Sequence, residues 1–175
     1  MRALLTNDDG IDSPGLHELA RHVEAAGFEV VVVAPSFDAS GTGASLGHIS
    51  RDRPIAYKEV QIIGLAGKAF ALDGPPALCT ITSHLEAFGP RPDIVVSGPN
   101  LGLNTGRSVL HSGTVGAALA AQNFGMRGLA GWETGFPHAA GHLSNAAATV
   151  AEVLLSLIHT PPCPPRGKCR SRRSS

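Results

Sequence analysis

Four consecutive valines, Val30 to Val33, enclosed by Glu29 and Ala34-Pro35, constrain this chain more than any other feature. An unbroken β-branched run of that length, stopped by proline, reads as a strand buried on both faces, as in a parallel sheet covered by helices. The residues before it agree. Arg2 to Thr6 is a short apolar run read as a first strand. Ser13-Pro14 then opens a helix whose Leu16, Leu19, Ala20 and Val23 recur at helical spacing until Gly27. Strand, amphipathic helix and buried strand make one βαβ unit, and the chain goes on alternating in the same way.

Ile55 to Val60 and Ala69 to Leu72 look like hairpin or edge strands. A helix is expected from Pro75 to about Phe88, a buried strand from Asp93 to Ser97 and a small-residue helix from Thr114 to Phe124. Arg127 to Ala130 is a fourth short parallel strand. His142 to His159 is a long amphipathic helix with Leu143, Val150, Val153, Leu154, Leu157 and Ile158. The fold class is therefore α/β. One domain, residues 1–160, suits a chain of 175 residues, since domains commonly hold roughly 100–200. Four prolines and five cations in residues 161–175 read as a disordered basic tail.

Hydrophobic residues at 43% and charged residues at 16% exclude the disordered, collagen-like and disulfide-scaffold classes. No apolar run approaches the ~20 residues of a membrane-spanning helix, and Met1-Arg2 leads into Asn7-Asp8-Asp9 without a secretory signal. No membrane association and a cytoplasmic setting are the expectations. The formal net charge of +0 hides an asymmetry, because residues 1–160 carry 9 basic and 14 acidic side chains. Binding to a nucleic-acid polymer is not expected of a body lacking clustered Lys and Arg. Three cysteines without a CxxC pair argue against a zinc site, and neither an H-E-x-x-H nor a G-x-S-x-G pattern occurs.

The chemistry lies in three loops, each following a strand. Asn7-Asp8-Asp9-Gly10 sets adjacent carboxylates at a strand's carboxyl end, where ligands of open α/β sheets bind. Their mutual repulsion is resolved by a cation, and oxygen donors suit Mg²⁺ or Mn²⁺. The competing reading of an isolated Asp-Asp-Gly is a solvated turn with Asp as a helix cap. Ser36 to Gly47 follows the valine strand, with Ser40 able to donate an oxygen to a metal and Gly41 and Gly43 admitting an anion to the backbone. The spacing Gly41-Gly43-Gly47 does not match a dinucleotide-binding loop. The third loop, Ser97 to Gly106, offers the amide oxygen of Asn100 to a metal. It leads to His111-Ser112-Gly113-Thr114 at a helix start, where free N–H groups, Ser112 and Thr114 form an anion site with His111 beside it. A turn-rich loop and an ordinary Thr cap are the bland alternative for that segment alone.

Residues 4–16 (Leu-Leu-Thr-Asn-Asp-Asp-Gly-Ile-Asp-Ser-Pro-Gly-Leu), Val-Ala-Pro at 33–35 with Ser40-Gly41, Val-Ser-Gly-x-Asn-x-Gly-x-Asn-x-Gly at 96–106 and Ser-Gly-Thr-Val-Gly-Ala-Ala at 112–118 resemble the SurE family of stationary-phase survival proteins, metal-dependent 5′-nucleotidases. The resemblance runs in order from residue 1 to about 130. It implies a Rossmann-like three-layer fold and one Mg²⁺ or Mn²⁺ per subunit held by Asp8, Asp9, Ser40 and Asn100. Asn104, Ser112, Gly113 and Thr114, with Gly41 and His111, would surround the phosphate. Asp8 and Asn7 would be the catalytic pair, Asp8 orienting or deprotonating water. The implied substrates are nucleoside 5′-monophosphates, with 3′-monophosphates and short polyphosphate as further candidates.

The chain departs from the family pattern at Pro75, Leu78, Pro99 and His111, and at Gly131-Trp132-Glu133, where the family continues a strand with Val-Ser. After Thr160 the Pro/Arg/Ser segment stands where the family has further strands and a C-terminal arm. A C-terminally truncated or altered member, with a homodimer open to it and no well-defined tetramer, is thus the expectation. Two rival readings are an inactive truncated relative and a non-catalytic Mg²⁺-binding receiver-like module. The latter needs a phospho-accepting Asp at a later strand's end, and Ile94 to Asn100 supplies none.

Overall fold

The computed structural model describes residues 1–133 and 142–159. In chain order the elements are β1 (Arg2–Thr6), α1 (Pro14–Ala25), β2 (Glu29–Pro35), β3 (Tyr57–Val60), β4 (Lys68–Leu72), α2 (Pro76–His84), β5 (Ile94–Leu101), a short 3-10 helix (Gly106–Leu110), α3 (Gly113–Asn123), β6 (Arg127–Glu133) and α4 (His142–His159). They form one six-stranded sheet in the order β3-β4-β2-β1-β5-β6. Every pairing is parallel except that of β3 with β4, which makes β3 an antiparallel edge. The chain leaves β1 toward β2 on one side and later returns to β5 on the other. A crevice opens at such a reversal, beyond the strands' carboxyl ends.

The valine run packs as its pattern requires. Val30 and Val32 join Ala3, Leu5, Ile94 and Val96 on one face, covered by Leu16, Leu19 and Val23 of α1 and Ala147, Ala151 and Leu154 of α4. Val31 and Val33 join Leu4, Val95, Phe70 and Leu72 on the other, against Leu78 and Cys79 of α2 and Ala121 of α3. Successive strand residues point to opposite faces, so both layers of helices are needed to bury the run. Each fully buried Val or Leu contributes roughly 1.5–3 kcal/mol, which is why the three-layer arrangement wins over a half-covered sheet.

Three boundaries differ from the sequence reading by three residues or more. β5 runs on through Gly98-Pro99 to Leu101 instead of ending at Ser97, and β6 runs to Glu133 instead of Ala130. The two extensions support each other. Asn100 lies opposite Trp132 and Leu101 opposite Glu133, after a register shift that takes up the Gly-Pro step. Gly98, at φ +111, is required there, because a Cβ would sit 2.2 Å from the Gly131 carbonyl oxygen. The departure from the family pattern at 131–133 therefore still forms strand. The helix expected to reach Phe88 ends at His84, since Glu86 takes φ 65 and turns the chain so that Phe88 enters the core, 4.7 Å from the Phe70 ring. In α4, Ala147, Ala151 and Leu154 make the buried stripe, whereas Val153 and Leu157 are exposed. The proposed tail, residues 161–175, lies outside the described residues. No helix among the described residues is long and apolar enough to cross a membrane.

Candidate active site

Three strand ends and one helix start meet at the carboxyl edge of the sheet. Thr6, the last residue of β1, lies beside Ser97 of β5, and the polar run Asn7-Asp8-Asp9 follows at once. The Asn7 side-chain oxygen accepts the Gly10 N–H at 3.2 Å, closing a turn and leaving the amide nitrogen buried with no partner. Asp8 is buried as well. One of its oxygens, Oδ1, accepts the Thr114 hydroxyl at 2.5 Å, across 106 residues of sequence.

The loop after β2 is stitched to this turn. The Ile11 N–H donates to the Pro35 carbonyl at 2.8 Å and the Ala39 N–H to the Asp8 carbonyl at 2.7 Å. Within the loop, Asp38 Oδ1 accepts both the backbone N–H of Ser40, at 2.9 Å, and its hydroxyl, at 2.6 Å. The Gly43 N–H donates to the His111 carbonyl at 3.0 Å, tying this loop to the third.

In the third loop Asn100 donates its amide N–H to the Gly102 carbonyl at 3.0 Å, which leaves its side-chain oxygen available as a donor atom to a cation. Asn104 is 8% exposed with its amide nitrogen buried and unpartnered. Ser112 caps α3, its hydroxyl accepting the Val115 N–H at 3.1 Å. Gly113 brings the helix start against Asp8: a Cβ there would lie 2.7 Å from the Asp8 Cβ. The N-terminal turn of α3, with its unsatisfied N–H groups and positive dipole end, thus faces the acidic turn.

The electrostatics follow from this packing. Burial, reinforced by the charge of Asp8 and more weakly by that of Asp38, pushes the Asp9 carboxyl up to about 6, although the Leu101 N–H works against the shift. Its Oδ2 is buried with no partner. Asp38 moves the other way, held below the usual carboxylate range by the two Ser40 hydrogen bonds. Several buried polar atoms here have no partner: the Asp9 Oδ2, the Asn7 and Asn104 amide nitrogens, and the Thr6 and Ser97 hydroxyls at the strand ends. A buried polar group without a partner costs about 1–3 kcal/mol, and a divalent cation beside Asp9 would relieve the carboxylate oxygen. Among the described residues no three His, Cys, Asp or Glu side chains converge. The donor set expected from the sequence, two carboxylates with hydroxyl and amide oxygens, would suit Mg²⁺ or Mn²⁺ better than zinc.

Of the residues singled out in the sequence, Asn7, Asp8, Asp9, Asn100, Ser112, Gly113 and Thr114 come from the turn, strand end and helix start that meet here, while Asn104 lies in the loop between β5 and the 3-10 helix. Ser40 is exposed, its hydroxyl directed to Asp38. Gly41 is exposed with open space where a Cβ would be, and His111, also exposed, contributes its backbone carbonyl to the loop contact with Gly43. Asp38 was missed. Its signal was an Asp two residues before a Ser, the pattern of a side chain that folds back on the backbone.

Known proteins resemble this chain in sequence and in fold. The family model described as survival protein SurE matches residues 3–169. The 5′-nucleotidase SurE of Rhodopirellula baltica is 44% identical over 131 residues, covering 74% of this chain and 50% of that protein. The 5′-nucleotidase SurE of Xanthomonas euvesicatoria pv. vesicatoria is 37% identical over 161 residues, 92% of this chain and 59% of the relative. Among solved structures, the SurE protein from Aquifex aeolicus superposes with a TM-score of 0.75 at 30% identity, covering 91% of this chain and 60% of that one. The chain spans about half the length of the first of these relatives.

Proposed function

Because the chain belongs to the survival protein SurE family, we propose that it removes phosphate from nucleoside 5′-monophosphates, using one Mg²⁺ or Mn²⁺ held by Asp8, Asp9, Ser40 and Asn100. The name 5′-nucleotidase, printed for relatives 37% and 44% identical, supports the substrate class. The observation that carries the reading is the acidic turn itself: the Asp9 oxygen is buried without a partner, next to Asp8, whose Oδ1 is held by the Thr114 hydroxyl at the start of α3. When bound, the cation supplies Lewis-acid polarisation of the phosphoryl group.

The remaining work falls to the protein. Thr114 donates to Asp8 Oδ1 and so fixes the carboxylate that would orient or deprotonate the attacking water. Asn7 and Asn104 donate N–H groups to phosphate oxygens, and the α3 N-terminus with Ser112, Gly113 and Thr114 stabilises the charge that grows on them. Gly41 and His111 border the phosphate from the two neighbouring loops. We also propose a cytoplasmic setting and a homodimer as the assembly open to this chain, which fractionation and sedimentation would check.

Release of inorganic phosphate from AMP, a 3′-monophosphate and short polyphosphate, each with Mg²⁺, Mn²⁺ or excess chelator, tests the proposal. Metal-supported release from AMP that the chelator abolishes is expected. Release indifferent to chelator, or none from any monophosphate, would overturn it.

A further inference from the structure

Resting on that reading, we infer that Asp38 is a positioning residue of the metal site, which takes the single hydroxyl proton of Ser40 so that the Ser40 oxygen offers only lone pairs to a divalent cation. A serine hydroxyl carries one proton and two lone pairs, and an unrestrained hydroxyl spends much of its time with the proton in the wrong direction for a cation. Asp38 removes that freedom. Its Oδ1 accepts the Ser40 hydroxyl at 2.6 Å and the Ser40 N–H at 2.9 Å, so one carboxylate oxygen sets both the backbone and the side chain of the same residue. Bonds to an ionised acceptor are the stronger kind.

The loop that carries the pair is itself anchored to the acidic turn through the Ala39 N–H and the Asp8 carbonyl, at 2.7 Å. Asp38 is not a ligand in this account. No third carboxylate converges with Asp8 and Asp9 among the described residues. It acts through Ser40, with its negative charge adding to the field that Asp9 already feels. Groups that orient a ligand in this way commonly alter metal affinity by about 10–100-fold when removed.

The test measures Mn²⁺ affinity of the full chain by calorimetric titration, without substrate, for wild type, Asp38→Ala, Asp38→Asn, Ser40→Ala and the Asp38→Ala/Ser40→Ala double variant. Asp38→Ala is expected to weaken binding by about tenfold or more, while Asp38→Asn, which keeps an acceptor oxygen without the charge, recovers part of the loss. In the Ser40→Ala background, Asp38→Ala should cost much less, because there is no hydroxyl left to orient. Thermal unfolding without metal should be unchanged, as Asp38 is exposed; if Asp38→Ala proves unstable, the same comparison is made with Asp38→Asn. Wild-type affinity in Asp38→Ala, or equal losses with and without the Ser40 hydroxyl, would overturn the inference alone. A wild-type protein that takes up no Mn²⁺ would overturn the proposed function together with it.

Discussion

Asp8 and Asp9 are neighbours in the chain with different surroundings, and their roles separate for that reason. Asp8 has a hydroxyl partner in Thr114, whereas Asp9 has a buried oxygen with none. Asp8→Asn keeps an oxygen that can accept the Thr114 hydroxyl but loses the charge. Phosphate release should fall about 100-fold or more with the circular dichroism spectrum unchanged, and full activity in this variant would refute the role. Asp9 makes a pH-dependent prediction. Its folded pKa of about 6 lies above the ordinary value of 3.8, so between those values the folded protein binds more protons than the unfolded chain. Its contribution to metal-free stability is therefore present at low pH and lost as pH rises through that window. Denaturant midpoints of wild type and Asp9→Asn across pH 4 to 7 isolate the slope, and saturating Mg²⁺ should reverse it. Divalent binding should weaken as pH falls below about 6, because the proton and the cation compete for one carboxylate.

At the scale of one element, α3 does two things with its first turn. Ser112 caps the helix while Gly113 and Thr114 close on Asp8. Gly113→Ala would press a methyl group to 2.7 Å from the Asp8 Cβ. Either α3 or the acidic turn must shift, with an expected cost of roughly 1–3 kcal/mol and a loss of phosphate affinity. Thr114→Val nearly keeps the shape and removes the hydroxyl, leaving a buried carboxylate oxygen without its donor, at about 1–3 kcal/mol. Inhibition by inorganic phosphate and turnover of every nucleoside monophosphate should then weaken by similar factors, since all share the group held there. A change confined to one base would place α3 at the nucleoside instead.

The molecule as a whole stands on two apolar layers, one on each face of the sheet. α4 enters the first of them through Ala147, Ala151 and Leu154, beside α1. Leu154 is 0% exposed and Leu157 is 38% exposed, although both are leucines of one helix. Leu154→Ala should lower unfolding free energy by about 2–5 kcal/mol, and Leu157→Ala by less than about 1 kcal/mol. Denaturant unfolding of the two variants checks the contrast. Equal effects would mean that α4 does not pack on α1 in solution.

Local pattern was enough for the elements that are apolar on their own account. The valine run, the spaced leucines of α1 and the polar turns after β1, β2 and β5 were legible because burial on a face leaves a period of two or of 3.6 in the chain itself. The ends of β5 and β6 were not, since Gly98-Pro99 reads as a stop and becomes strand only when Trp132 and Glu133 lie opposite Asn100 and Leu101. Nor was the end of α2, which depends on Phe88 reaching Phe70. In the site, the acids could be named residue by residue, but not Ser112 as the cap of α3, where the sequence suggested a Thr, nor the hydroxyl that Thr114 gives to Asp8 or the one that Ser40 gives to Asp38. Periodicity records which side of an element is buried. Strand partners and shared protons are decided by groups that only the tertiary fold, or the turn of one loop, brings within hydrogen-bond reach, and no local pattern carries that information.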